Sequence, residues 1–237
     1  MDKTSESANR VFTWASIENF ALKLERKTGD SKRMFDDIKY PEPDPNKKPA
    51  QQVWDERYKG DSYLFGKEPI LLLKTYSSLL RKGKTIDIAM GEGRNSVFLA
   101  SQGFEVEGVD CSSVAIEKAK KLAAEKNAKI EAKTQNLDFF LMPLMKYDTI
   151  VMSYFRPLSR FFNEVRRGLV AGGTFALEAY TSEHVRANPP NPNLDFEDCY
   201  KPNEVISHLK EFHILFYKEV PEGNLHTVQV IAQKKKV

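Results

Sequence analysis

The sequence predicts an α/β fold, a mostly parallel sheet with helices on both faces. Three observations predict it. Short apolar runs alternate with helical stretches between residues 85 and 179, and such alternation builds βαβ units. The run Thr85-Ile-Asp-Ile-Ala-Met-Gly-Glu-Gly-Arg-Asn-Ser96 compresses a strand end, a glycine turn and a helix start into one segment. Nineteen residues after Gly91, a second short strand ends in Asp110. An acid at about that distance past a glycine turn is placed to take two ribose hydroxyls. The turn and the acid together predict a nucleoside-cofactor site.

Each element follows in order. Residues 1–10 are polar. Val11, Trp14, Ile17, Ala21 and Leu24 recur at spacings of three and four, which predicts a helix over 11–25. Prolines at 41, 43, 45 and 49 make an extended linker. The chain thus divides into an N-terminal extension, 1–50, and a main domain, 51–237. The extension helix is read as docked on the main domain, with a lid or a dimer contact as the sharper alternatives. A helix is expected over 68–80, with Pro69 at an early position where proline is tolerated. Strands are expected at 85–89, 106–109, 129–133, 147–152 and 174–179, with helices at 94–101, 112–126 and 158–169 between them. Gly172-Gly173 is read as the break after the third of these helices. Residues 182–201, with Asn188-Pro-Pro-Asn-Pro-Asn193, read as a long irregular segment, either a lid or a passive loop. Phe212–Glu219 and Leu225–Gln233 close the chain as a hairpin turning at 221–224.

Composition narrows the function. Of the 237 residues, 41% are hydrophobic and 29% charged, ordinary for a globular protein. The net charge of +3 is too small to imply a nucleic-acid partner, and Lys234-Lys235-Lys236 reads as a solvated tail. Cys111 and Cys199 suit a reducing compartment and make no metal or disulfide framework. No apolar stretch is long enough to span a bilayer, and the N-terminus lacks signal-peptide character. A cytoplasmic protein, monomeric or homodimeric and without a membrane partner, is the expectation.

Spacing separates two cofactors. The dinucleotide fingerprint needs a third glycine three residues after the second; Ser96 stands there. Instead Asp87, Ala89, Gly91 and Gly93 alternate. This resembles the D-x-G/A-x-G-x-G motif of class I S-adenosylmethionine methyltransferases. Gly91-Glu92-Gly93-Arg94-Asn95 is similar to the tellurite-resistance and thiopurine-methyltransferase-like branch. Trp54-Asp-Glu-Arg-Tyr58, Tyr63-Leu-Phe-Gly66, Gly108-Val-Asp-Cys-Ser-Ser113, Leu177-Glu-Ala-Tyr-Thr181 and Glu222–Gln229 resemble further segments of that branch. The resemblance covers about 51–235. It implies a three-layer Rossmann-like sheet of seven strands, mostly parallel with an antiparallel last strand, behind an N-terminal helical extension.

The resemblance also implies a site for S-adenosylmethionine. Gly91 and Gly93 let the turn pass close to the cofactor. Arg94 and Asn95, at a helix start, meet its carboxylate. Asp110 accepts both ribose hydroxyls. Trp54, Tyr58 and Phe65 offer ring faces to the sulfonium cation. Asp87, Ala89, Glu92, Cys111, Leu137 and Ser153 complete the expected lining. Relatives often carry an acid for the adenine amino group where this chain has Asn136; its amide oxygen accepts without charge, and Gln135 or Asp138 are substitutes.

The expected acceptor is a small molecule, with a soft sulfur, selenium or tellurium nucleophile as one class that needs no protein base. Tyr63, Tyr154, Arg156, Glu178 and Tyr180 are the expected acceptor-side residues, the last two at a strand's C-terminal end where open sheets place ligands. His226 reads as structural. Two other readings stay open: a cofactor-binding regulatory module without turnover, and an NAD-linked oxidoreductase.

Overall fold

The computed structural model describes residues 48–219 and 221–236. The helix expected at 11–25 and the linker prolines before residue 48 lie outside the described residues. The strands are β1 Lys84–Ile88, β2 Glu105–Asp110, β3 Ile130–Thr134, β4 Tyr147–Ser153, β5 Leu169–Tyr180, β6 Phe212–Lys218 and β7 Thr227–Lys234. They form one sheet in the order β3-β2-β1-β4-β5-β7-β6. β1 to β5 pair in parallel. β7 runs antiparallel to both β5 and β6. This is the Rossmann-like methyltransferase architecture expected from the sequence.

The helices are α1 Ala50–Tyr58, α2 Leu71–Tyr76, α3 Arg94–Ser101, α4 Ser113–Glu125, α5 Phe161–Gly168, α6 Ser182–Ala187 and α7 Glu204–His208. Alternation along the central strands explains why both sheet faces are covered. Ile150 and Met152 of β4 join Phe162 and Val165 of α5 in one core cluster. Val151, between them, packs with Leu72, Leu73 and Leu99 of α2 and α3 in another. All eight of these side chains are buried, and adjacent strand residues point to opposite faces. No described helix is long and apolar enough to cross a membrane.

Three expectations change, and one helix was not foreseen. The helix expected over 68–80 is α2 followed by a 3-10 turn, Ser77–Leu79. It starts late because Ile70 is extended and two distant side chains take the entering N–H groups: Asn95 Oδ1 accepts from Ile70 and Glu178 Oε2 from Leu72. Gly172-Gly173 does not separate helix from strand, since β5 already begins at Leu169. The pair sits where the β4–β5 register shifts, between Tyr147 and Thr149. The 182–201 segment is not wholly irregular: it carries α6 and a 3-10 turn at Phe196–Asp198, and Thr181 bridges Tyr200. The Trp54–Tyr58 aromatics ride on a helix that apolar periodicity did not reveal.

Candidate active site

A cleft opens at the C-terminal ends of β1, β2 and β4. The sheet order turns there, with β2 on one side of β1 and β4 on the other, and open α/β sheets bind ligands at such a point. Trp54, Tyr58, Phe65, Ala89, Gly91, Glu92, Arg94, Asn95, Asp110, Cys111, Asn136, Leu137, Ser153 and Tyr154 all line it. Fourteen of the expected site residues therefore meet in one place, although their sequence positions span a hundred residues.

The glycine turn makes the floor. Gly91 has φ +54°, and a Cβ there would come 2.9 Å from Tyr58 Oη. Only glycine fits both the conformation and the space. Ala89 holds φ +55° with its side chain, a strain of about 1–2 kcal/mol for an L residue. Gly93 has a different role from the one expected. It is the N-cap of α3 and is absent from the cleft wall. A Cβ there would fall 2.7 Å from Ala119 Cβ, so Gly93 lets α3 approach α4.

Asp110 is the polar centre. Its Oδ2 accepts from Gly91 N at 2.8 Å and its Oδ1 from Ser112 N at 2.8 Å. Burial raises its carboxyl above the usual range, against the pull of those two bonds. A carboxylate has about four lone-pair sites, so acceptor capacity remains for a ligand's hydroxyls. Asp87 lies behind the turn and outside the wall. Ser96 Oγ donates to its Oδ2 at 2.7 Å, while its buried Oδ1 has no partner. Burial pushes Asp87 up to about 7, against the Ser96 bond and with Asp110's charge adding to the rise.

The aromatic wall comes from α1 and the loop after it. Trp54 stacks on Tyr58 at 5.4 Å between centroids, and Tyr58 meets Phe65 edge-on at 6.4 Å. Glu92 and Arg94 hold this segment. Glu92 Oε2 accepts from Leu64 N at 2.7 Å, and its Oε1 pairs with Lys118 at 2.8 Å. Arg94 Nη1 donates to Phe65 O at 2.8 Å. Asn95 has a structural role as well. Both its amide atoms are engaged inside, accepting from Ile70 N and donating to Ser153 Oγ at 2.9 Å. They orient α2 and β4, which leaves one Nδ2 hydrogen of Asn95 for a ligand. Asn136 Oδ1 likewise accepts from Asp138 N at 2.9 Å, closing a turn. Burial pushes the Cys111 thiol up to about 12, so it lines the cleft as a neutral group.

The acceptor-side set divides. Only Tyr154 lines the cleft. It holds φ +51° and donates from its Oη to Glu178 Oε1 at 2.7 Å. Burial and Glu178's charge raise its phenol far above the ordinary range, which makes it a donor and no base. Glu178 is 3% exposed and stands outside the wall. Its other oxygen accepts from Leu72 N and from Gln229 Nε2 at 3.0 Å. Tyr180 stacks on His184 at 4.3 Å and meets Tyr154 at a tilt at 4.7 Å, and it does not reach the cleft. Arg156 pairs with Glu204 at 2.9 Å and donates to Glu197 O, pinning α7. Tyr63 donates to Lys118 O at 3.1 Å and packs against Val97 and Leu122. His226 directs its backbone N–H at His184 Nδ1, a structural contact.

Sequence reasoning missed Met90 and Phe155, which also line the cleft. Each adjoins a residue that was identified, and position next to a motif was the available signal. It also missed Asp55, whose Oδ1 accepts from Ser112 Oγ at 2.6 Å; no local pattern marks a bond between residues so far apart.

Comparison with known proteins agrees with this geometry. Residues 86–173 match the family model described as a methyltransferase domain. A curated relative, the 23S rRNA (uracil(747)-C(5))-methyltransferase of Pyrococcus horikoshii, is 27% identical over 143 residues, 57% of this chain. The chain spans about a third of that relative's length, 32%. Among solved structures, TehB from Haemophilus influenzae superposes with a TM-score of 0.59 at 19% identity, covering 78% of this chain and 67% of that one. An S-adenosylmethionine-dependent methyltransferase from Methanosarcina mazei gives 0.55 at 22% identity, covering 72% of this chain and 100% of that one. These likenesses establish the fold.

Proposed function

We propose that this chain, whose residues 86–173 match a methyltransferase domain, transfers the methyl group of S-adenosylmethionine to a small-molecule acceptor. The carrying observation is that the Gly91–Asp110 bond and the Trp54–Tyr58–Phe65 aromatics line one cleft. An anionic acceptor of hydroxyl protons and a cation-attracting aromatic wall suit the two ends of one nucleoside sulfonium. Neither feature explains a purely structural cleft.

The residues present fit that cofactor. Asp110 holds the ribose hydroxyls with its free lone pairs. Gly91 permits close approach of the turn. Trp54, Tyr58 and Phe65 face the sulfonium. Leu137 and Phe155 offer apolar surface to the base, and Asp138 in the wall is a charged partner for the adenine amino group. When bound, S-adenosylmethionine supplies a methyl carbon already activated for in-line displacement, and the protein supplies binding and orientation. Tyr154 spends its hydroxyl as a donor to Glu178, which favours an acceptor that is nucleophilic unaided, such as a soft sulfur, selenium or tellurium centre.

Calorimetric titration with S-adenosylmethionine, S-adenosylhomocysteine and NADH, on wild type and Asp110→Ala, tests the reading. Binding of the first two is expected to weaken by about tenfold or more in the variant, the value of a hydrogen bond to a charged group. NADH should not bind. Binding of NADH alone overturns the proposal. A subsequent acceptor panel includes RNA, because the curated relative methylates rRNA by name. Turnover on RNA alone would replace the small-molecule assignment. Binding without turnover on any acceptor would favour the regulatory module.

A further inference from the structure

The aromatic wall needs something to hold it in place. α1 carries Trp54 and Tyr58, but Tyr58 is its only buried residue. Its N-terminus has no side-chain cap. A nine-residue helix of this kind is marginal without tertiary support. The loop after α1 has its own ties, through Glu92, Lys118 and Arg94. The helix itself has Asp55.

Asp55 reaches the start of α4. Its Oδ1 accepts from Ser112 Oγ at 2.6 Å and from Val114 N at 3.3 Å. Ser112 is the N-cap of α4, accepting from Ala115 N at 3.1 Å. Asp55 therefore adds a negative charge, from another helix, at a terminus that favours one. The chain of bonds continues. Ser112 N donates to Asp110 Oδ1, and Asp110 Oδ2 accepts from Gly91 N. One polar path thus runs from the aromatic helix through the α4 cap to the central acid and the glycine turn.

We propose that Asp55 is a positioning residue for the cofactor: it latches α1 to the N-terminus of α4 and so holds Trp54 and Tyr58 in the wall of the cleft that Asp110 also lines. The inference rests on the cofactor reading above. Asp55 touches no reacting atom. It acts through Ser112 on one side and through its own helix on the other. Its loss frees the aromatic wall while the core below remains packed.

The test uses the full chain with Trp14→Phe, so that Trp54 is the remaining tryptophan. S-adenosylhomocysteine is titrated by calorimetry and by Trp54 fluorescence in the Asp55 wild type, Asp55→Ala and Asp55→Asn. Asp55→Ala is expected to weaken binding about tenfold, the loss of a charge-assisted hydrogen bond. It also diminishes the Trp54 response at saturation. Its kcat at saturating cofactor should fall far less than its kcat/KM for cofactor. Asp55→Asn keeps an acceptor oxygen in the same place and is expected to restore affinity to within about threefold. Asp61→Ala, in the exposed loop nearby, serves as control. If Asp55→Ala binds as wild type with an unchanged Trp54 signal, the latch is wrong. If Asp55→Asn folds yet binds as poorly as Asp55→Ala, the positioning geometry is wrong; this variant also decides should Asp55→Ala fail to fold. If wild type itself binds no S-adenosylhomocysteine, the cofactor reading fails first, and the latch with it.

Discussion

The two halves of the sheet treat their polar side chains in opposite ways. Around β1 and β2, polar groups converge on the cleft: Asp110 keeps free lone pairs, and Gly91 opens the floor. Around β4, β5 and β7, polar groups turn on each other. Glu178 accepts from Leu72, Tyr154 and Gln229, Arg156 is tied to Glu204 and Glu197 with only its buried Nε left over, and Tyr180 packs between the rings of Tyr154 and His184. One half is built to receive a partner of fixed chemistry. The other is built to hold a shape, and presents mainly Tyr154, Ser153 and Phe155 to whatever acceptor arrives. A fold used with many acceptors profits from this division, because chemistry sits on the cofactor and shape can vary.

The largest expected effect comes from breaking the shape-holding half. Glu178→Ala removes the acceptor of three donors at once. It should cost about 3 kcal/mol or more by urea denaturation, since buried donors are left unpaired. A loss below about 1 kcal/mol would mean that this half is far less interlocked than its contacts imply.

The next effect tests the receiving half, where Asp87 carries an unpartnered oxygen. Its carboxyl is raised from 3.8 to about 7. The folded state then binds the proton more tightly than the unfolded one, so stability is greatest below pH 4 for this group and falls as pH rises from about 4 to about 7. Asp87→Asn should remove that contribution, on the order of a few kcal/mol. Chemical denaturation of both proteins from pH 4 to pH 8 reads the difference; parallel curves would refute it.

The smallest effect sharpens the boundary. Tyr63→Phe deletes one bond to Lys118 O and should cost about 1 kcal/mol in stability, with kcat unchanged. A large fall in kcat would return Tyr63 to the acceptor site and blur the contrast between the halves.

The same contrast explains what was legible in the sequence. The glycine turn and Asp110 form a local signal: a conformation only glycine takes at position 91, and an acid one βαβ step later. The strands and α3 came from alternation and apolar periodicity, which survive in a single sequence. The acceptor-side residues did not, because Glu178 and Tyr180 stand at a strand end where ligands often bind, yet residues 106 positions apart decide Glu178's partners. Gly93 was misread for a similar reason: its motif position predicted a ligand, while Ala119 on another helix sets its role. Local physics is written in order along the chain. The consumption of a polar group by a distant one is not.

The placement of β7 has a consequence for how the molecule is made. It is the last strand in sequence, yet it lies inside the sheet between β5 and β6. Until residues 227–234 are in place, β5 and β6 each present an open edge, and β6 has no neighbour at all. Open edges are templates for pairing with other chains, and such long-range closure is slow. A nascent chain stalled before residue 227 therefore holds its glycine turn, its central acid and five parallel strands, but leaves β6 as an unpaired strand. β7 covers both edges at once, and it also supplies Gln229 to Glu178 and so completes the half that gives the site its shape.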